Sequence, residues 1–247
     1  MLELLGNGIL LDDNFEIKEY DTGDGIVLAF CCKDKIQSLI YKDKEKSNEL
    51  AFYYFNFFDL PVRVNPQGDN YLVLGGGCMS YPRYYLSHYD NKKMDVVEIN
   101  EKIIGYAEKY LMFDRNELDP SGERLNIIID DALNYIGYCG KKYDYILVDL
   151  FDGNIPITSI YSEEGIANLK RLLNYNGMVV INYIISDVNK NKYDFLKVLR
   201  NNFSVCKIIS NIEFFNVKRG TGNIIVLLSD GKINIPQNYD YINITNI

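Results

Sequence analysis

Two carboxylates follow one apolar run in the segment "YDYILVDLFDGNIP". Asp149 ends the run and Asp152 comes three residues later. Ligands of parallel α/β sheets bind beyond the carboxyl ends of the strands, so both acids are placed for chemistry. Such a pair can hold and deprotonate a cationic amine, because repulsion and partial burial raise one pKa toward that of a general base. Asp152 also fits a turn residue that accepts backbone N–H bonds.

Three successive glycines indicate a second element of a site. Gly75, Gly76 and Gly77 come after an apolar run and before a helical pattern, where glycine lets the backbone turn sharply and approach a ligand. Glu98 ends the next apolar run, about 20 residues on, the offset at which a carboxylate can accept both ribose hydroxyls. A nucleoside is the predicted ligand. Alternatively, the glycines form only a tight turn without a ligand, and Glu98 is only an exposed residue at the start of a helix.

Other polar residues have both a functional and a structural interpretation. Asp130 and Asp131, in "LNIIIDDALNYI", can accept a hydrogen bond from an adenine amino group, but one of them, Asp130 as readily as not, can instead cap the next helix. Ser80 is expected to cap the helix after the glycines, with Pro82 in its first turn. His88, the only histidine, is expected to be structural, because a cation suits a helix end.

These residues require a parallel sheet to bring them together. Five apolar runs and five helical patterns alternate, which predicts a doubly wound sheet covered on both faces. The runs are Tyr71–Leu74, Met94–Glu98, Leu125–Ile129, Tyr143–Asp149 and Met178–Ile184, and the helices Pro82–His88, Glu101–Leu111, Ala132–Tyr138, Glu163–Leu173 and Lys190–Asn202. Two final strands, near Val205–Ser210 and Asn223–Ser229, are separated only by "NIEFFNVKRGTG" and are expected to pair antiparallel. Together, the five parallel strands and the final antiparallel pair predict a seven-stranded, Rossmann-like α/β fold typical of adenosylmethionine-dependent transferases.

The first residues have a different pattern. Short strand-like runs separated by turn signals predict a small antiparallel sheet over residues 1–45, ahead of a nucleoside-binding domain over 46–247. The aromatic segment "NELAFYYFNFFDL", Asn48–Leu60, predicts a buried helix. Most of its rings are expected to be core, although a hydroxyl from Tyr53 or Tyr54 is a candidate to reach the site.

Composition excludes several classes. The net charge of −8 and the lack of a basic cluster argue against nucleic acid as a partner. Five cysteines without C-x-x-C spacing indicate reduced thiols, with neither a metal site nor a disulfide framework. The start lacks a basic region, and no apolar run reaches the roughly 20 residues of a membrane helix. A cytoplasmic protein without membrane partners is expected.

In order and spacing, these motifs resemble the spermidine synthase family of aminopropyltransferases. The resemblance extends from Gln37 to Ser229 and is carried by "IQS", "VLGGG", "VVEIN", "IIDDALNYI", "DYILVDLFDGNIP", "GMVVINYI" and "GNIIVLL". It implies a transferase of polyamine biosynthesis. Such an enzyme moves an aminopropyl group from decarboxylated S-adenosylmethionine to a diamine or polyamine and releases methylthioadenosine. By analogy with related synthases, a homodimer is also expected.

The resemblance also implies residue roles. The glycines Gly75–Gly77 and Glu98 would bind the nucleoside, with Asp131, and Asp130 beside it, at the adenine. Gln37, from the N-terminal sheet, would close over the nucleoside. Asp149 would act on the attacking amine, and Asp152 would help to hold it, with Tyr54 as a further candidate.

Departures from the family pattern point to its divergent, spermidine synthase-like branch. Cys78 replaces the aspartate that pairs with the ammonium of the aminopropyl arm, and "DLFDGNIP" and "SNELAFYYF" differ from the usual versions. Two alternatives therefore stay open. One is a methyltransferase that uses intact S-adenosylmethionine, with Arg83 on its carboxylate, although Val73 stands where that class has an acid. The other is a non-catalytic nucleoside-binding module.

Overall fold

The computed structural model describes residues 2–6, 8–152, 155–186, 194–211, 215–216, 218–236 and 241–244, without the side chain of Tyr53. Its strands form two principal sheets and one short hairpin. The strands are β1 Glu3–Leu4, β2 Ile9–Leu10, β3 Phe15–Asp21, β4 Ile26–Cys32, β5 Lys35–Tyr41, β6 Asn70–Leu74, β7 Lys93–Glu98, β8 Leu125–Ile129, β9 Tyr143–Val148, β10 Phe151–Asp152, β11 Ile155–Pro156, β12 Leu173–Ile185, β13 Val205–Ser210, β14 Phe215–Asn216, β15 Thr221–Ser229 and β16 Ile242–Asn243.

Along the chain, the first helix precedes the first strand of the larger sheet, and the other helices lie between its strands. The helices are α1 Leu60–Val64, α2 Ser80–His88, α3 Glu101–Tyr110, α4 Arg115–Leu118, α5 Ala132–Tyr138, α6 Glu163–Leu172 and α7 Asp194–Asn202. Short 3-10 helices cover Lys44–Lys46, Tyr53–Asp59 and Ser159–Tyr161. The helix predicted over Lys190–Asn202 is present from Asp194, and residues 190–193 of that prediction lie outside the described part.

The larger sheet has the predicted strand directions. Its strands run β16–β13–β15–β12–β9–β6–β7–β8, with β14 paired to β15. Neighbours from β12 to β8 are parallel, whereas β15 is antiparallel to both β12 and β13. Seven long strands therefore form the expected Rossmann-like sheet with its antiparallel last pair, and the two-residue strands β14 and β16 extend it. The carboxyl ends of the parallel strands meet at one edge.

Both faces of this sheet are buried, because its strands alternate side chains between two cores. In β6, Tyr71 and Val73 belong to one apolar cluster, and Leu72 and Leu74 belong to the other. This alternation is the period-two pattern of a strand, and the double burial is typical of parallel sheets. The rigid sheet fixes the positions of the residues at its carboxyl edge.

The N-terminal sheet is antiparallel and shares the first of these cores. Strand β4 lies between β3 and β5, and both β1 and β2 pair with β3. One face of β4 places Leu28 and Phe30 in the core shared with β6, whereas Val27 and Ala29 form a separate small cluster. Because Leu28 and Phe30 share a core with residues of β6, the small sheet packs on the larger one.

The aromatic segment differs from its prediction. A single buried helix was expected over Asn48–Leu60, but the chain forms a 3-10 helix at Tyr53–Asp59, followed by α1. Aromatic residues are poor α-helix formers, and a 3-10 turn aligns side chains three residues apart. Phe55 accordingly packs on Phe52 and Phe58, with ring centroids 5.9 and 5.3 Å apart. Ring packing therefore replaces the predicted α-helical geometry.

Candidate functional site

A cavity of about 720 Å³ lies at the carboxyl edge of the large sheet, within the range of small-molecule sites. Strand ends of the large sheet form one wall. The other wall is formed by strands β3 to β5 and by the 3-10 helix Tyr53–Asp59. The structure brings together in this cavity the residues that the sequence proposed for an aminopropyltransferase site, whereas Arg83, proposed for the methyltransferase alternative, is not part of the lining. The cavity lining includes Gln37, Tyr54, Gly75, Gly76, Gly77, Glu98, Asp130, Asp131, Asp149 and Asp152.

The glycine loop passes close to the end of β9. Gly75 has φ +91°, and a Cβ atom there would overlap the carbonyl oxygen of Asp149. Gly77 has φ +49°, but a Cβ there would have nothing within 4 Å. Both dihedrals lie in the region that favours glycine. Gly75 is therefore required for packing and for backbone conformation, whereas Gly77 leaves open space at the cavity.

The Glu98 carboxylate holds the glycine loop in place. One oxygen accepts a 2.9 Å hydrogen bond from the backbone N–H of Gly77, and the other accepts one of the same length from Asn100. The side chain is 7% exposed. Each carboxylate oxygen can accept a further hydrogen bond, so Glu98 keeps acceptor capacity at the cavity.

Asp131 caps helix α5, whereas the sequence left the cap open between the two acids, with Asp130 as readily as not. One oxygen of Asp131 accepts from the N–H groups of Leu133 at 2.7 Å and Asn134 at 3.3 Å. Asp131 directly precedes the helix in an extended conformation, which is the N-cap position, and Asp130 lies one residue too early. Asp130 instead accepts from the Tyr138 hydroxyl at 2.7 Å.

Asp149, at the end of β9 on the wall formed by the large sheet, has an altered acidity. Burial raises the pKa of its carboxyl group to about 6, a hydrogen bond from Asn182 opposes that rise, and the charge of Glu98 adds to it. The Asn182 amide nitrogen lies 2.7 Å from an oxygen of Asp149. A carboxyl group with this pKa can accept and release a proton near neutral pH.

The remaining predicted residues line the same cavity as Asp149. Burial, and then the charge of Asp149, raises the pKa of the Tyr54 phenol, so the two groups interact electrostatically. Asp152 is exposed on β10, at the rim of the cavity, and Gln37 reaches the cavity from β5. Gly153 and Asn154 of the "DLFDGNIP" motif lie outside the described residues.

Comparison with known proteins decides the family. The family model described as "Spermine/spermidine synthase domain" matches residues 52–238, which is most of the chain. The chain belongs to the spermine/spermidine synthase family. Polyamine aminopropyltransferases of Methanocaldococcus jannaschii and Vibrio vulnificus are 30% and 29% identical to it, over 66% and 68% of this chain. The matches cover 52% and 55% of those relatives, so the chain spans about half the length of the curated relatives it matches.

Solved structures share the fold. A probable spermidine synthase from Corynebacterium glutamicum has a TM-score of 0.76 at 20% identity and covers 95% of this chain and 83% of its own. A complex of human methyltransferase-like protein 13 with SAH has a TM-score of 0.57 at 22% identity and covers 72% of this chain and 79% of its own. Both likenesses support the adenosylmethionine-transferase architecture predicted from the strand pattern.

One departure from the synthase family pattern lies on the cavity wall. Cys78 is 3% exposed and lines the cavity. Burial raises the pKa of its thiol well above the usual value, and the opposing charge of Arg83 does not offset this. The group is therefore a neutral thiol at physiological pH, where the family resemblance implies a carboxylate.

Arg83 is not placed to pair with a ligand carboxylate, which corrects the role proposed for it in a methyltransferase. The side chain is 1% exposed and is not part of the cavity lining. Its guanidinium donates to the backbone carbonyls of Leu111 at 2.8 Å and Ser47 at 3.5 Å. These carbonyls hold Arg83 inside the core, so it is structural.

Ser80 does not cap helix α2, which is a second correction near the loop. Met79, with φ 60°, is the N-cap residue without a side-chain cap, and Ser80 is the first helical residue. The Ser80 hydroxyl is instead hydrogen-bonded to the Ser38 hydroxyl of β5. This bond connects the N-terminal sheet to the segment that follows the glycine loop.

Asn182 is the site residue that sequence reasoning missed. It is 3% exposed, and its side-chain oxygen has no hydrogen-bond partner among the described residues, although its nitrogen binds Asp149. The available signal was a single polar residue inside the apolar run "GMVVINYI". A buried unpaired acceptor is costly, so a cavity-facing amide of this kind indicates a ligand contact.

His88 has a structural role, and the five cysteines form no disulfide. His88 is the last residue of α2. Its Nδ1 atom is hydrogen-bonded to the Tyr84 carbonyl oxygen at 2.8 Å, and its Nε2 atom lies 3.3 Å from a carboxylate oxygen of Glu49. All five cysteines are free. Within the described ranges there is no group of acids, cysteines or histidines that could hold a metal ion. Among the described helices, none is both long and apolar enough to cross a membrane.

Proposed function

We propose that this protein transfers an aminopropyl group from decarboxylated S-adenosylmethionine to an amine. The observation that carries the proposal is the Asp149 carboxyl group, with a pKa of about 6, in a cavity that also contains the glycine loop. Membership of the spermine/spermidine synthase family supports this activity, as do relatives named polyamine aminopropyltransferase.

The donor nucleoside would bind along the strand ends of the large sheet. The glycines from Gly75 to Gly77 allow close approach of the backbone, and Glu98 has acceptor capacity for ribose hydroxyls. Asp130 and Asp131 line the cavity beyond β8 and are assigned to the adenine, and Gln37 closes the opposite side. One oxygen of Asp131 is occupied by the helix cap, which leaves its second oxygen for the base.

Asp149 would orient the acceptor amine and take its proton. The amine nitrogen attacks the methylene carbon next to the sulfonium with its lone pair, and the carbon–sulfur bond breaks with its electrons moving to sulfur. The products are methylthioadenosine and a new secondary ammonium, whose proton passes to Asp149. Asn182 would fix the orientation of that carboxylate, and catalysis would depend mainly on positioning within the enclosed cavity.

Asp152 and Tyr54 would hold the acceptor beside Asp149. Asp152, at the rim, suits a cation that enters from solvent, and the Tyr54 phenol stays protonated and can donate a hydrogen bond. A role in polyamine biosynthesis, a homodimer, a cytoplasmic location and the lack of a nucleic-acid partner remain predictions from the sequence.

Product analysis tests the proposal. The pure protein is incubated with decarboxylated or intact adenosylmethionine and a panel of amines, and methylthioadenosine and adenosylhomocysteine are measured by chromatography. Methylthioadenosine that depends on an amine, and that Asp149→Asn abolishes, is the expected result. Adenosylhomocysteine would identify a methyltransferase instead. Nucleoside binding without either product would leave a binding module and overturn the proposal.

A further inference from the structure

The cavity continues past Asp149, away from the glycine loop. The large sheet places β7, β6, β9, β12 and β15 side by side in that order, and each of these strands contributes lining residues. The donor nucleoside is assigned to the ends of β7 and β6, and the reacting amine to Asp149, which directly follows β9. The lining residues of β12 and β15, which are Asn182, Ile184 and Asn223, therefore remain for the rest of the acceptor.

Three polar side chains, those of Asp149, Asn182 and Asn223, form a row across the ends of β9, β12 and β15. Asn182 is hydrogen-bonded to Asp149, and Ile184, two residues further along β12, is paired with Asn223. Each member of the row lies two residues from a strand residue of the first apolar cluster, so all three are on one face of the sheet. Those strand residues are Leu147, Val180 and Ile225. Neighbouring strands are about 4.8 Å apart, so the row spans about 10 Å from Asp149 to Asn223.

This acceptor half of the cavity suits a molecule with several cationic nitrogens. Asp149 and Asp152 supply two carboxylates, and the described lining residues include neither Lys nor Arg. Asp152 lies in the hairpin of β10 and β11, and β11 contacts β12, so Asp152 is on the acceptor side of Asp149. The buried side-chain oxygen of Asn182 has no partner among the described residues, and a hydrogen-bond donor on a ligand would satisfy it. Asn223 is only half-buried.

We propose that the acceptor is a linear triamine and that Asn223 binds its far terminal nitrogen. This inference rests on the proposed function, in which the reacting amine lies at Asp149 and Asp152 holds the next nitrogen. Three methylenes separate two nitrogens by about 5 Å, close to one strand spacing, and two such units separate the terminal nitrogens by about 10 Å, close to two spacings. The amide oxygen of Asn223 can accept a hydrogen bond from an ammonium. A diamine fills only the positions at Asp149 and Asp152.

An isosteric pair of acceptors tests this inference on the whole chain. Bis(3-aminopropyl)amine is compared with N-butyl-1,3-diaminopropane, in which a methyl group replaces one terminal amine, with decarboxylated adenosylmethionine as the donor. We expect kcat/KM to be at least about tenfold higher for the triamine, because its terminal ammonium makes a charge-assisted hydrogen bond that the methyl group lacks. That difference exceeds the statistical advantage of two equivalent ends. An analogue that equals or surpasses the triamine would overturn the inference.

Variants of Asn223 show whether the difference arises at this residue. Asn223→Leu keeps a side chain of similar size without polar atoms and should lower the triamine-to-analogue ratio of kcat/KM about tenfold. Asn223→Asp should raise that ratio about tenfold, because the terminal ammonium gains an opposite charge. Asn201→Leu, at an exposed position of α7 outside the cavity lining, is the matched control and should leave the ratio unchanged. An unchanged ratio in either folded Asn223 variant would contradict the assignment.

A binding measurement separates failure of this inference from failure of the proposed function. Both amines are titrated calorimetrically into the protein, with and without saturating methylthioadenosine. Tighter binding of the triamine that Asn223→Leu abolishes supports the triamine site even when no product forms, in which case only the aminopropyl transfer fails. Equal binding of the two amines, including no binding of either, or tighter binding of the analogue overturns the triamine site even when transfer occurs.

Discussion

The amide nitrogen of Asn182 donates a 2.7 Å hydrogen bond to the carboxylate of Asp149 across two neighbouring parallel strands. The register pairs Ile181 with Val148, so each residue of the bond directly follows a paired position. The other end of the amide, its oxygen, has no partner among the described residues. Asn182 is thus held at its nitrogen, where it fixes the carboxylate, while its buried oxygen is left without a partner among the described residues.

Removing the Asn182 amide should change the pH dependence of activity. Asn182→Ala deletes the hydrogen bond that opposes the burial-driven rise in the pKa of Asp149, so that pKa should increase above about 6. The acid limb of the kcat/KM profile should move to higher pH, because a larger fraction of Asp149 is then protonated. Asn174→Ala is the matched control, since Asn174 donates a similar 2.7 Å bond to Asp144, outside the cavity lining. Identical shifts in the two variants would contradict a specific role for Asn182.

Asp149→Asn should abolish transfer while stabilising the fold. Loss of the base should lower kcat by about 10²–10⁴-fold, with methylthioadenosine binding retained. Burial raises the folded-state pKa of Asp149 from 3.8 to about 6, so the group favours the folded protein when protonated and disfavours it once pH passes both values. The neutral amide should therefore raise the unfolding midpoint at pH 7.5 more than at pH 4.5. Thermal unfolding at both pH values measures this, and an equal gain at both would refute the burial argument.

Two glycines of the loop should respond differently to alanine. Gly75→Ala places a Cβ against the Asp149 carbonyl oxygen at a positive φ, so it should cost on the order of 2–4 kcal/mol of unfolding free energy and prevent nucleoside binding. Gly77→Ala meets nothing within 4 Å and adds only backbone strain, which amounts to about 1 kcal/mol. Denaturant unfolding and calorimetric titration with methylthioadenosine distinguish the two. Similar losses of unfolding free energy and of nucleoside binding in the two variants would show that the close approach at Gly75 is unimportant.

A carboxylate at position 78 should strengthen donor binding. The Cys78 thiol is neutral in the cavity wall, so it gives a cationic aminopropyl arm no charge partner. Cys78→Asp should lower the KM for decarboxylated adenosylmethionine by about tenfold, since an opposite charge at an enclosed site favours the cation. Cys78→Ser keeps a small neutral group and should leave that KM unchanged. If Cys78→Asp and Cys78→Ser change the KM equally, the aminopropyl arm of the donor does not reach this position.

Residues whose position follows from chain connectivity were predictable. Glycines after one strand, Glu98 after the next and Asp149 after another must share an edge once the sheet is parallel, and spacing along the chain shows this. Asn182 was missed because its role depends on the register between β9 and β12, which no local pattern encodes. Arg83 was misassigned because the direction of a long side chain depends on packing.

The errors in local structure have a similar origin. Ser80 has the right side chain for a helix cap, but the N-cap position belongs to the residue whose backbone is at the helix boundary, and that residue is Met79. The same boundary geometry selects Asp131 of the two acids that the sequence left open for α5. The aromatic segment was apolar enough for a buried helix, and only the packing of its rings selects the tighter 3-10 turn.

The hydrogen bond between the Ser38 and Ser80 hydroxyls joins the small N-terminal sheet to the large sheet's side of the cavity, so this sheet affects the chemistry of the site. A shortened chain that began after residue 45 would lose β5 and the rings of Phe15 and Phe30 from the cavity, although every carboxylate would remain. Water would then hydrate Asp149 and return its acidity toward that of an ordinary surface aspartate. The proposed role of Asp149 as a base would therefore depend on strands that contribute none of the lining acids.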